Sequence, residues 1–343
     1  MAGGLWERVR GWFGADAEHV TTCFLPEPGS APIWPAQGYV RLWLAEGFLA
    51  RARGWGQDRF PVLHAGASLD FGTSGQVAFT SFSRPAVAWA APGDQVDFSV
   101  TPLLPFNGGI IEIEAAVYEA TAGGPLGTAL QLVSGFAELL GPPLATAASV
   151  AKAVSTGLDT LIGAAGDKPV LGVHHALTSP GGGGQPVRAG HLAVVHAAPG
   201  SLPGELTIDA DGRLALLVDG STRRLIGVDY LVVRVETRTE HDVWLSPALL
   251  ALVTQARLAR AHGRLAAFAD YRAEALTLAW TSGDYVESDR ARIATAIAAA
   301  LDPGEQGAGA DPDVALTDEV LAHLPAQGDP ALAGLTLPDL LAR

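Results

Sequence analysis

The segment Ile110-Ile111-Glu112-Ile113-Glu114-Ala115-Ala116-Val117-Tyr118-Glu119 decides the fold class, because its apolar and polar side chains alternate. A period of two predicts a β-strand that buries one face and leaves Glu112, Glu114 and Tyr118 on the other. Residues 229–238 repeat the alternation, with Leu231, Val233 and Val235 opposite Arg234 and Glu236. Further strands are expected at 76–82, 95–100, 170–177 and 191–197.

A hairpin is predicted around Ala210-Asp211-Gly212, between strands at 206–209 and 213–218. Asp-Gly favours such a turn because it tolerates the positive φ angles that a tight hairpin requires. Alternating strands separated by Gly and Pro are typical of antiparallel pairing. We therefore expect an α+β fold whose body is an antiparallel β-sandwich or jelly-roll-like structure.

Two regions have helical rather than strand periodicity. Residues 126–140 and 144–162, divided by Pro142 and Pro143, predict a helical pair inserted into the β body at 126–163. After Trp244 the pattern is helical, with Ser246-Pro247 as a start signal and Ser288 and Thr317 as expected caps of later helices. The expected organisation is an amphipathic helix and lead-in at 1–25, a β-sandwich-like domain at 39–244, a helical domain at 245–302, and an acidic linker and tail at 303–343.

Composition and charge narrow the function classes. The net charge of −14 over 343 residues argues against nucleic acid as a partner, because phosphate binding needs a basic face. The one cysteine, Cys23, excludes an intrachain disulfide, and no secretory signal is recognisable at the start, so a cytoplasmic location is expected. The apolar run at 139–151 is too short to cross a membrane.

The candidate catalytic residues form no recognisable motif. Cys23 lacks the surroundings of a nucleophile, and the spacing of the histidines is not that of a metal site. Glu112 and Glu114 are interpreted as cross-strand charge pairs on a solvated face, with acid–base chemistry as the alternative. No cofactor, metal or small-molecule ligand is predicted. A hydrolase whose site gathers histidine and aspartate on the sheet stays open as an alternative, with His64, His174, His191, Asp209 and Asp211 as its candidates.

Two apolar segments are the candidate interaction surfaces. The first is the N-terminal helix with Trp6, Trp12 and Phe13, whose aromatic side chains suit a protein groove, a membrane interface or its own domain. The second is the inserted helical pair, represented by Leu139, Leu140, Leu158 and Leu161. The leading hypothesis is a non-enzymatic module that binds a protein partner or self-associates. The alternative from another class is a membrane-binding or pore-forming effector that a trigger releases.

Overall fold

The computed structural model describes residues 5–50, 59–70, 76–83, 95–121, 169–301 and 316–342, which form a mixed α+β structure with several antiparallel sheets. These residues contain six α-helices and fourteen strands. The chain divides into two compact units, one of Met1–Pro35 with Val40–Thr237 and the other of Ala36–Tyr39 with Arg238–Arg343. No helix within these ranges has the length and apolar character needed to cross a membrane.

The first unit contains helix α1 (Leu5–Asp16) and two larger sheets. The strands of the first sheet, in spatial order, are β1 (Thr21–Pro26), β10 (Gly190–Val195), β14 (Tyr230–Arg238), β2 (Tyr39–Phe48) and β5 (Gln95–Ser99), with β6 (Leu104–Pro105) beside β2. Those of the second are β4 (Gln76–Ser83), β3 (Arg59–Asp70), β7 (Ile110–Thr121), β8 (Pro169–Thr178) and β9 (Gln185–Pro186).

The burial of alternate residues in one core confirms the predicted alternation of apolar and polar side chains in two strands. In β7, Ile111, Ile113, Ala115 and Val117 are buried in a hydrophobic cluster. That cluster also takes Leu231, Val233 and Val235 from β14, so both larger sheets contribute to one core. In the first sheet, β1 pairs with β10, β10 with β14 and β2 with β5 in antiparallel register. In the second sheet, β3 pairs with β4 and β7, and β7 with β8, also antiparallel, whereas the two-residue pairing of β8 with β9 is parallel.

A third, smaller sheet contains β11 (Glu205–Ile208), β12 (Leu214–Val218) and β13 (Ser221–Arg224). The turn between β11 and β12 is the predicted hairpin, in which Gly212 has a φ of 76°. Leu214 and Leu216 are buried with Tyr230 and Val232 in a second cluster. The third sheet therefore buries one face against the first sheet and leaves its other face outward.

The second unit is built around helices α2 (Pro247–Ala261), α3 (Leu265–Thr281), α4 (Glu287–Leu301), α5 (Leu316–Ala322) and α6 (Leu337–Ala342). Ser246 caps α2 as predicted, because its Oγ accepts a hydrogen bond of 3.3 Å from the Leu249 N–H. The apolar positions Leu249, Val253, Leu276, Ile293 and Ile297 are buried together in the core of this unit.

Several sequence predictions need correction. Strands β1, β2, β3 and β13 were not expected, although they complete all three sheets. Ser288 and Thr317 lie inside helices that begin one residue earlier, at Glu287 and Leu316, so neither is a cap. The inserted pair at 126–163 lies outside the described residues.

Candidate functional site

Helix α1 packs on the face of β7 and β8 that points away from the core. Val9 is buried, and Trp12 and Phe13 are half-buried against the hydrophobic cluster. The helix lies close against Gly172, where a Cβ atom would lie 3.2 Å from Trp12 Cε3 and 3.3 Å from Val9 Cγ1. A Cβ atom at position 172 would require the side chains of Trp12 and Val9 to shift by a few tenths of an ångström.

The structure thus places two of the predicted interaction residues, Trp12 and Phe13, against their own domain. Trp12 also makes an edge contact with the ring of His196, with centroids 6.4 Å apart. Trp6 lies in the same helix, but its side chain is outside the described residues, as are Leu139, Leu140, Leu158 and Leu161. Their role in binding a partner stays a prediction.

Two acid–imidazole pairs lie on this same face. Glu112 Oε2 is 2.9 Å from Arg10 Nη2 of α1, and Glu112 Oε1 is 3.9 Å from His174 Nε2. Glu114 Oε1 is 3.6 Å from His64 Nδ1, and both of those side chains have no exposed surface. The expectation of a solvated face is therefore wrong for Glu114, because the alternation in β7 does not reveal what covers its polar side.

The buried imidazole is in its neutral form at physiological pH. Burial lowers the pKa of His64 to about 3, since desolvation penalises the charged form. A neutral, sealed imidazole can accept a proton only after the structure opens, so this pair cannot contact a substrate in the conformation described. Acid–base chemistry at Glu114 is accordingly not what the geometry supports best.

The remaining candidates for chemistry are dispersed. His191 is nearly buried on β10 of the other large sheet, where burial and Arg234 lower its pKa to about 4. Burial raises the pKa of the Cys23 thiol, which is the opposite of what a nucleophile needs. Within the ranges described, no group of three or more His, Cys, Asp or Glu side chains is placed to hold a metal ion.

The second unit contains a buried network of charged and aromatic side chains centred on Asp289. Its Oδ2 accepts a 2.7 Å hydrogen bond from the Tyr39 hydroxyl, and its Oδ1 lies 2.9 Å from Arg292 Nη1. Arg292 also donates to Glu240 and to the Pro325 carbonyl. His241 lies within 5.0 and 5.4 Å, centroid to centroid, of the rings of Tyr39 and Tyr285. These donors and acceptors lie within hydrogen-bond distance of one another. The network is therefore expected to stabilise the fold.

Strand β13, in contrast to the buried network around Asp289, is an exposed strand at the open edge of the third sheet. All four of its residues, Ser221–Arg224, are exposed, and within the described part of the chain it pairs with β12 alone. Two large apolar side chains lie close by in sequence or register. Leu217, opposite Thr222 in the ladder, is 41% exposed, and Ile226 is 74% exposed.

The hairpin turn determines which backbone groups of β13 face outward. Val218 pairs with Ser221 across a two-residue turn, and Asp219 and Gly220 have φ angles of 50° and 74°, as a type I′ turn requires. In such a hairpin the flanking pair exchanges both hydrogen bonds and the next pair exchanges none. The N–H and C=O groups of Thr222 and Arg224 therefore point away from β12, towards the open edge.

Sequence reasoning missed this edge, although a signal for it exists. Ser221–Arg224 contains no apolar residue, so alternation cannot reveal it. The dipeptide Asp219-Gly220 directly after the apolar run at 214–218 is the same turn signal that correctly located the hairpin at Gly212. No family model, curated protein or solved structure is significantly similar to this chain.

Proposed function

We propose that this protein is a non-enzymatic, cytosolic interaction module that binds an extended segment of a partner protein by strand addition at β13. The observation that supports the proposal is a strand with four exposed residues at the edge of an antiparallel sheet. An open edge presents unpaired N–H and C=O groups, which another chain can satisfy. Strand addition of this kind gives affinity through the main chain and specificity through alternate side chains.

The side chains around the edge favour this use. Leu217 and Thr222 share the outward face of the third sheet, and Ile226 follows two residues after β13. Apolar surface beside an open edge is costly to leave in water and stabilises a bound strand when it is covered. An edge strand that only had to avoid pairing with other chains would not need exposed apolar side chains beside it.

The charge of the edge sets the chemistry of the partner. Arg223 and Arg224 are adjacent and exposed, in a chain whose net charge is −14. Successive residues of a strand point to opposite faces, so each arginine faces a different neighbour in an added strand. Opposite charges across a strand pair are favourable. The proposed occupant is therefore an extended segment with two consecutive carboxylates among β-branched residues.

The rest of the first unit would serve as a scaffold that supports this edge. We take the two larger sheets to be the layers of a sandwich of jelly-roll type, since residues of both contribute to one core. The His64–Glu114 pair and Asp289 have no exposed side-chain surface. These two groups are thus sealed inside the structure, whereas the residues of β13 at the edge of the third sheet are exposed.

The test uses a display library of randomised peptides selected on the purified full-length protein. Thr222→Pro removes an outward N–H without removing a bond to β12, and proline is tolerated at this kind of edge position. Thr222→Val keeps the N–H and the β-branched shape, which makes it the matched control. Binding of the selected peptides to the two variants and to the unaltered protein is then measured by fluorescence anisotropy.

The proposal expects selected peptides to carry adjacent acidic residues in a β-branched context. It expects binding to be lost in Thr222→Pro and kept in Thr222→Val, with unchanged circular dichroism in both. Peptides that bind all three proteins equally well would show that β13 is not the binding edge. Selection of basic peptides would contradict the assigned partner chemistry.

A further inference from the structure

Helix α1 contacts the outer face of β7 and β8 through Val9, Arg10 and Trp12. Val9 and Trp12 flank the Cα of Gly172, and Arg10 lies 2.9 Å from Glu112. Val9 is fully buried by this packing. A second copy of the chain has the same helix and the same face, so the same contacts can form between copies.

The joint between α1 and β1 is short and weakly bonded. After Asp16 the chain makes a 3₁₀ turn at Ala17–His19, closed by a hydrogen bond from Val20 N to Ala17 O of 3.5 Å, at the limit of the usual range. Thr21 already pairs with Val195 in the sheet. Short hinge segments favour exchange of an element between copies, because a straightened hinge leads naturally to a neighbouring molecule.

We infer that α1 exchanges between two copies of this chain, the helix of each copy covering the β7–β8 face of the other. The closed monomer and the exchanged dimer contain the same helix–sheet contacts. They differ in the conformation of the joint and in the entropy lost on association, so protein concentration shifts the balance towards the dimer. The exchange is independent of strand addition at β13, although a dimer would carry two such edges and bind a repeated partner more tightly.

The ion pair between Arg10 and Glu112 allows a charge-reversal test. R10E and E112R each place like charges at the helix–face contact within one chain. When the two variants are mixed, a helix that moves to the other copy meets an opposite charge in both directions. The double variant R10E/E112R restores an opposite pair within one chain and serves as the matched control. Native mass spectrometry of the full chains measures the dimer fraction.

The mixture is expected to contain about tenfold more dimer than either variant alone, because two exposed ion pairs replace two repulsions. The dimer should consist of one copy of each variant. The double variant is expected to match the unaltered protein. A mixture with no more dimer than the separate variants, in samples folded like the double variant, overturns the inference.

A second measurement does not depend on those charges. V9C/G172C in a C23S background places two thiols where the helix meets the sheet, with no other cysteine present. Copies labelled with ¹⁴N and ¹⁵N are mixed at high concentration, oxidised and digested. Cross-linked peptides that join one light and one heavy partner establish exchange. Cross-links confined to peptides of one label, across all concentrations, contradict it.

Discussion

Two regions of this molecule use arginine in opposite ways. In the second unit, Arg292 is 3% exposed, and it donates to Asp289 at 2.9 Å, Glu240 at 2.9 Å and the Pro325 carbonyl at 2.8 Å. Its guanidinium also lies 5.1 Å from the centroid of the Trp244 ring. In the third sheet of the first unit, Arg223 and Arg224 are exposed on an edge strand.

The difference separates a side chain that is expected to stabilise the fold from side chains that are proposed to recognise a partner. A buried guanidinium that donates hydrogen bonds to several partners joins distant parts of the chain. Its removal leaves a buried carboxylate without its ionic partner. An exposed guanidinium contributes little to the free energy of unfolding, and charges at the rim of an interface act mainly on the choice of partner. The following predictions separate these two roles, from the largest expected effect to the smallest.

Arg292→Ala should cause the largest loss of stability. The change leaves Asp289, which has no exposed surface, without its guanidinium partner, and breaking a buried pair costs about 3–5 kcal/mol. Urea unfolding followed by tryptophan fluorescence measures the loss. The control is Arg257→Ala, which removes a partly exposed pair with Glu319 and should cost less than about 1 kcal/mol. Equal losses of unfolding free energy in the two variants would show that the buried network stabilises the fold no more than a partly exposed ion pair does.

Acidification should weaken the first unit through His64. Burial lowers the pKa of His64 to about 3 from its ordinary value of 6.5, so the unfolded chain binds this proton first as the pH falls. The stability that the neutral imidazole contributes is complete above pH 6.5 and is lost between there and about pH 3. The loss is on the order of a few kcal/mol.

The check is the slope of unfolding free energy against pH in His64→Phe, which should be shallower than in the unaltered protein. His19→Phe changes an exposed histidine of the same unit and should keep the original slope. If His64→Phe leaves the slope unchanged, His64 is not the group that titrates on unfolding.

Tyr39→Phe should have an intermediate effect on the second unit. The hydroxyl donates to Asp289 at 2.7 Å and accepts from the Val286 N–H at 3.1 Å, so both partners lose a bond. A loss of about 1–2 kcal/mol is expected in the same urea experiment. Tyr271→Phe alters a half-buried tyrosine of α3 and is the control, with an expected change within about 0.5 kcal/mol.

The double variant R223E/R224E should have the smallest effect on unfolding and a large effect on binding. Its free energy of unfolding should change by less than about 1 kcal/mol, because both side chains are exposed and surface interactions contribute little. Peptides with adjacent acidic residues should bind at least about tenfold more weakly, since attraction becomes repulsion. A lowered midpoint with unchanged peptide binding would assign these arginines to stability instead.

Much of the fold could be predicted from local patterns. Alternation located β7 and β14, Asp211-Gly212 located a hairpin, and Ser246 located the start of α2. Each of these signals acts over a few residues, where side-chain period or turn chemistry decides the structure. The burial of Glu114 could not be predicted, because alternation shows that a side chain leaves the core face but not what covers it.

The candidate sites were harder to predict for a related reason. Tyr39 and Asp289 are 250 residues apart, and no local pattern indicates that they share a hydrogen bond. That β13 has no second neighbouring strand among the described residues is a property of topology rather than of Ser221–Arg224 itself. The proposal of recognition at β13 therefore depends on the strand order.

Amide hydrogen exchange, resolved by residue in NMR with and without a selected acidic peptide, tests the binding edge most directly. The Thr222 amide points outward, so its exchange should slow when the peptide adds a strand. The Ser221 and Arg223 amides already bond to β12 and should change little. Slowed exchange elsewhere in the protein, with Thr222 unaffected at saturating peptide, would contradict strand addition at β13.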